Sequence, residues 1–154
     1  MKKTSLLATL ITTATRFLTS CGGGSPQAFA DKFIAAENKA WSAGELEDLK
    51  ALESVDVKYH LPGAELAGWK AHEGYILQSR PMTSNLKQNW KYLSGEGNHF
   101  VLSYDSNATV TGKDGKSSAS VSSYLCVFRI DNGKVAEVWM NGSNTTTPLE
   151  KPGN

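Results

Sequence analysis

Two residues of this 154-residue chain have the type and setting for proton transfer: Glu37, in "FIAAENKAW", and His72, in "GWKAHEGYI". At about 100° per residue, Phe29 through Ile34 and Trp41 define an apolar helical arc about 140° wide. Glu37 falls near the middle of that arc, while Asp31, Lys32, Asn38 and Lys39 lie opposite. A carboxylate so placed loses its water, which favours the neutral form and prepares a general acid. The competing reading puts Glu37 at the edge of the core, reaching water or a lysine. His72 lies on a stripe with Tyr75, Ile76 and Ser79. It reads either as a satisfied, neutral core histidine or as the second half of an acid–base couple with Glu37. In the couple, Tyr59 and Tyr124 would serve as hydrogen-bond donors to the bound molecule.

His60 is placed differently. In "DVKYHLPG", Val57, Tyr59 and Leu61 share one side of a strand and Lys58 and His60 the other. The apolar trio must face the core, so His60 is expected on the outer face unless a bulge at the strand end reverses it. Other chemistries lack their motifs. The chain has no HExxH, no paired cysteines and no histidine pair at ligand spacing, so neither a metal site nor a cofactor is expected. "CGGGSP" follows no strand and carries no GK[ST], so it is a tether and not a phosphate cradle. No serine stands in a nucleophile-elbow context.

The elements that position Glu37 and His72 follow from caps, periods and turns. Residues 1–20 read as a secretory signal, with basic Lys2-Lys3 and an apolar run too short to span a bilayer. The run closes on "LTSC", which resembles the lipobox of bacterial lipoproteins and makes Cys21 the expected lipid-bearing residue, with residues 21–25 as a tether. The implied location is the cell envelope, at the outer membrane of a Gram-negative cell given Gly22, with simple secretion as the alternative. Cleavage removes Lys2, Lys3 and Arg16 from sixteen basic residues, leaving thirteen against fifteen acidic, a net charge of −2. No basic run survives, which argues against nucleic acid as a partner. With Cys21 acylated, Cys126 has no partner for a disulfide.

Ser25-Pro26 starts a helix that ends at Gly44. "ELEDLKALESV" forms a second, with Leu46, Leu49 and Leu52 inward, and a third begins near Gly68 and fades before Pro81. From Leu86 the pattern is strand-like, with turns at "SGEGN", "GKDGK" and "DNGK". Residues 143–154, "SNTTTPLEKPGN", are polar and read as a loose tail. The fold class is α+β, three N-terminal helices packed on a curved, mainly antiparallel sheet.

This order resembles the nuclear transport factor 2-like superfamily, and within it the SnoaL-like and ketosteroid isomerase-like proteins. The resemblance rests on "AWSAGELEDLKAL", "DVKYHLPGAELAGWKAHEGYI" and "FRIDNGKVAEVW". It implies a cone-shaped domain over residues 26–142, a curved sheet around helices with an apolar pocket at one end, and a family in which homodimers are common. Isomerases of that kind carry their catalytic aspartate immediately before the proline, where this chain has Leu61. They hold a protonated aspartate at the position of Cys126, and many SnoaL-like relatives read His-Trp-Asp where this chain reads Val138-Trp139-Met140. Glu37 matches the helix position of their oxyanion-binding tyrosine. The chain is therefore not a ketosteroid isomerase by its sequence. Tyr59, Leu61, Tyr124, Cys126, Phe128, Val138 and Met140 are the expected pocket wall. The leading expectation is binding of a small, mainly apolar molecule. The alternatives are an isomerase, dehydratase or cyclase using Glu37 and His72, and a non-catalytic interaction domain docking through Lys58, His60, Glu137 and Trp139.

Overall fold

A computed structural model describes residues 25–149. The signal segment 1–20, Cys21 and the last five residues lie outside the described residues. Helix α1 spans Pro26–Ala43, α2 Glu47–Leu52 and α3 Trp69–Ser79. The strands are β1 (Glu53–Leu61), β2 (Ala64–Ala67), β3 (Thr83–Glu96), β4 (His99–Thr111), β5 (Ser117–Asp131) and β6 (Lys134–Pro148). They form one open six-stranded sheet in the order β2-β1-β6-β5-β4-β3, antiparallel except where β1 runs parallel to β6. Among the described residues no helix is long and apolar enough to cross a membrane.

The first helix forms where its caps demand. Ser25 Oγ accepts from Ala28 N at 3.2 Å, Pro26 occupies the first turn, and Gly44, at φ 78°, returns its N–H to the carbonyls of Ala40 and Lys39. Arg80 closes the same end, donating from Nε to Trp41 O and from Nη2 to Ser42 O, each at 3.0 Å. The face carrying Ala30, Phe33, Ala36, Glu37 and Ala40 is buried. Phe33 meets Phe128 edge-on at 5.0 Å between ring centroids, and Phe100 stacks on Phe128 at 4.5 Å. Such contacts add to the area these rings bury and set the depth at which α1 rests on the sheet.

Strand register arranges the inward side chains of β4, β5 and β6 in rows. From the deep end they read Phe100–Phe128–Val138, Leu102–Cys126–Met140, Tyr104–Tyr124–Gly142, Ser106–Ser122–Asn144 and Ala108–Ser120–Thr146. Gly142 has a steric reason for its type. A Cβ there would lie 2.0 Å from Ser123 O and 2.7 Å from Tyr124 Cα and Cδ1, so the missing side chain is the space against which Tyr124 rests. Gly142→Ala is expected to reduce stability by about 1–3 kcal/mol, as overpacking does, measured by urea unfolding.

Two sequence expectations need correction. The segment 143–148 is not a loose tail: β6 continues through it and pairs with β5 as far as Pro148 opposite Ser118. Its threonines favour a pleated strand, and their polarity, which suggested a loop, suits strands that run out beyond the apolar rows. The other concerns order. Strands β1 and β2 precede α3, so the helices do not form one N-terminal block, and β2 went unread because Ala64–Ala67 is a four-residue edge strand following the Pro62-Gly63 turn.

Candidate functional site

A cavity of about 470 Å³ lies between the helices and the inner face of the sheet. Its walls include Glu37 and Trp41 from α1, Tyr59 and Leu61 from β1, His72 and Tyr75 from α3, and Tyr104, Tyr124, Cys126, Phe128, Val138 and Met140 from the sheet. All nine positions expected from sequence to face a ligand thus border one space. Exposed Pro62, Ala64, Asn144 and Thr146 mark its mouth.

The polar end of the cavity is built around a residue that sequence reading overlooked. Glu53, the first residue of β1, is 2% exposed and accepts two hydrogen bonds from neighbouring side chains. Tyr59 OH donates to its Oε1, and His72 Nδ1–H donates to the same oxygen at 3.0 Å, with Oε2 at 3.2 Å. The other ring nitrogen of His72, Nε2, faces Glu37 Oε1 at 3.9 Å. Glu53 and Tyr59 come from one strand, His72 from α3 and Glu37 from α1, so three elements must dock before the line Glu53–His72–Glu37 exists. Tyr59 and His72 also pack ring to ring at 4.3 Å, which restricts the imidazole from its face.

Charge explains the titration of this group. One imidazolium can neutralise one carboxylate, and Glu53 holds the direct hydrogen bond. Glu37 is left buried, and desolvation raises its pKa from 4.5 to about 7, although the His72 charge pulls the other way. Burial alone would push the His72 imidazole down. The hydrogen bond and charge of Glu53, reinforced by Glu37, outweigh that and hold its pKa above the ordinary value. The surroundings therefore favour the imidazolium over the neutral core histidine considered from sequence. Tyr59 is pushed well up, first by burial and then by the charges of Glu53 and Glu37, so its phenol keeps its proton and stays a donor. Burial likewise drives the Cys126 thiol up to about 12, which makes it an inert wall residue instead of a nucleophile.

Glu37, Glu53 and His72 each offer an atom within 4.8 Å of the others, a spacing that could hold an ion. The arrangement suits proton sharing better. The carboxylates face opposite nitrogens of a single ring, so an ion on Nε2 would meet Glu37 with Glu53 behind the imidazole, and one on Nδ1 would have to displace the Glu53 bond. As a proton relay, the same geometry is complete: Glu53 fixes the ring, and Glu37 presents a carboxyl to the cavity that both gives and takes a proton near neutral pH.

His60 lies outside this site. Its ring stacks on Trp139 at 5.6 Å and 15°, with Nε2 donating to Glu137 Oε1 at 2.8 Å and Nδ1 facing Glu65 Oε2 at 3.3 Å. The irregularity in β1 pairing falls between Glu53 and Lys58, before the strand end, so the alternation through His60 holds. Glu137 is engaged further by Arg129 Nη2 at 3.0 Å. Trp139, 37% exposed, is thus partly covered by its own strand neighbour.

The fold has many solved counterparts. Bal32a, from a soil-derived mobile gene cassette, is 16% identical, over 75% of this chain and 89% of that one, with a TM-score of 0.61. IdmH from Streptomyces antibioticus, named as a candidate polyketide cyclase, is 18% identical over 74% of this chain and 91% of its own, with a TM-score of 0.58. A protein of Catenulispora acidiphila with a ketosteroid isomerase-like fold, solved in complex with trimethylamine, is 16% identical over 71% and 84%, with a TM-score of 0.56. At these identities the likeness is one of fold. No curated protein matches the sequence. The model of the SnoaL-like domain does match, over residues 31–138, and the chain belongs to that family.

Proposed function

We propose that this chain binds a small, mainly apolar molecule in a conical pocket and moves a proton on it, in a reaction of the isomerase, dehydratase or cyclase type. The observation that carries this is the Glu37 carboxyl, turned into the deep, mainly apolar part of the cavity beside a histidine that a second buried carboxylate holds in place. Apolar burial supplies most of the affinity, and Tyr59, Tyr124 and the Glu37–His72 pair orient the ligand. Glu37 is the acid or base, His72 stabilises its ionised form as the proton leaves, and Glu53 is a positioning residue. Trimethylamine bound in a neighbour of this fold supports small-molecule binding, and a neighbour named as a candidate cyclase supports the class of activity. The signal-like N-terminus supports an envelope location, with Cys21 as the lipid-bearing residue. The outer face around Trp139 is the surface for a homodimer.

Native mass spectrometry of residues 25–154, produced in a bacterial periplasm, tests the reading. A retained small molecule is expected, and Glu37→Gln and His72→Ala should change its mass or, for an isomer of equal mass, its chromatographic retention after extraction, because the substrate then persists where the wild type holds product. An empty wild-type pocket would overturn the binding claim. The same ligand, held equally by all three proteins, would leave binding and overturn the chemistry.

A further inference from the structure

The inner face of the sheet changes character along its strands. Below Tyr104 and Tyr124 the rows are apolar. Above them the rows Ser106–Ser122–Asn144 and Ala108–Ser120–Thr146 turn hydroxyl and amide groups toward the same cavity. Ser106, Ser120 and Ser122 are 7%, 7% and 8% exposed, so these are enclosed hydroxyls and not surface ones. An inward strand position beside a pocket ordinarily takes an aliphatic residue, since a buried hydroxyl without a partner is unfavourable. Three on adjoining strands form a patch whose groups gain from a polar occupant. Ser120 Oγ already donates to Asn144 Oδ1 at 3.2 Å, which ties the patch together across β5 and β6.

The patch selects by its donors and acceptors. Serine, threonine and asparagine each donate and accept, a repertoire that matches ligand hydroxyls, whereas sulfate or carboxylate only accepts and an ammonium only donates. Among the described residues no lysine or arginine lines the cavity, so an anionic end has no counter-charge there. The lining carboxylate, Glu37, is engaged with His72 and lies close enough to Cys126 for its charge to reach that thiol, so it belongs to the deep part of the cavity. A cationic end at the patch would find no carboxylate lining it.

Resting on the pocket reading above, we propose that the cavity takes an uncharged, elongated amphiphile. An apolar ring system lies against Phe128, Cys126 and the Glu37–His72 pair, and a hydroxyl-bearing end meets Ser106, Ser120 and Ser122. The Cys126 and Ser122 rows stand four residues apart, about 13 Å along the strand, which sets the distance between the two ends.

Three probes that share one ring system test this on the full chain: 2-naphthyl β-glucoside, 2-naphthyl sulfate and 2-naphthylmethylammonium, with 2-naphthol as the body alone. Binding is followed by isothermal titration calorimetry. The glucoside is expected to bind about tenfold more tightly than either charged probe, the equivalent of about two net hydrogen bonds. Ser120→Ala combined with Ser122→Ala should remove most of that preference and leave 2-naphthol affinity unchanged. If the pair together disturbs the sheet, each single substitution should reduce the preference about three- to fivefold. Equal or tighter binding of the sulfate or the ammonium, or a preference that survives the serine substitutions, would overturn the inference while leaving the pocket intact. Failure of 2-naphthol itself to bind would overturn the pocket reading and this inference together.

Discussion

Glu53→Ala is expected to lower the unfolding free energy by about 3–5 kcal/mol, the range for breaking a buried ion pair by removing one partner. Glu53 is the acceptor for two side chains that have been withdrawn from water to meet it. Without it the Tyr59 hydroxyl loses its partner, and His72 keeps its burial while losing its main counter-charge. Glu53→Gln separates the two effects. A glutamine oxygen can still accept from Tyr59 but cannot balance an imidazolium, so its loss should be smaller and should depend on pH. The sign follows from the raised pKa of His72. A base with a folded pKa above its unfolded value contributes stability fully below about 6.5 and loses it as pH rises through the folded pKa. The gap between wild type and Glu53→Gln should therefore be widest in mild acid and narrow above the folded pKa of His72. Urea unfolding across pH 5–9 measures that gap. NMR titration of the His72 ring supplies a second readout, since burial then dominates and should carry its pKa below the ordinary value. A ring that titrates unchanged in Glu53→Gln would mean that Glu53 does not hold it.

Much of this arrangement could be read from sequence where a local rule decides. Ser25-Pro26 starts a helix through its own cap, the Asp-Gly and Asn-Gly turns fix hairpins, and strict alternation places Tyr59 inward and His60 outward. Glu37 could be found because one wheel position contradicts its neighbours. Glu53 could not be found in that way. It stands at a junction, closing α2 and opening β1, and a charged residue at such a place is ordinarily exposed. Counting back in twos from Tyr59 would have put it on the core side, but that count passes Val55, which faces solvent, and crosses the irregular stretch of β1. Its burial is decided by the parallel pairing of β1 with β6 and by α3 crossing above, both long-range events. The serine rows were hidden for a related reason. In "SSASVSSYLCV" serines occupy both faces of β5, so their composition gives no direction; alternation counted back from Phe128, Cys126 and Tyr124 puts Ser122 and Ser120 inward, and the register with β4 and β6 shows the rows they join. The same pairing converts an apparent tail into the strand that carries Asn144 and Thr146.

Glu37→Gln is expected to stabilise the folded protein above neutral pH while impairing proton transfer, and the two effects have one cause. The folded state binds a proton at Glu37 more tightly than the unfolded chain does, with a pKa of about 7 against 4.5. Below pH 4.5 the carboxyl is protonated in both states and costs nothing. Between 4.5 and 7 the unfolded chain releases its proton while the folded protein retains one, so stability falls progressively. Above 7 the folded protein carries an ionised, desolvated carboxylate, and the accumulated penalty is about 3 kcal/mol, from about 1.4 kcal/mol per unit of pKa. Glutamine has nearly the same shape and no charge to desolvate. The variant should match wild type near pH 4.5 and exceed it by up to about 3 kcal/mol at pH 8. That gain is trimmed by what His72 loses when one of its two anions is removed. Urea unfolding of both proteins at pH 4.5, 6, 7 and 8 gives the difference directly, with contributions from other groups largely cancelling. The same substitution should lower turnover of the molecule identified in the pocket by about 10²- to 10⁴-fold, the usual worth of a positioned acid or base. Parallel stability curves would mean that Glu37 titrates as an ordinary carboxylate, and the proton-transfer role would fall with that result.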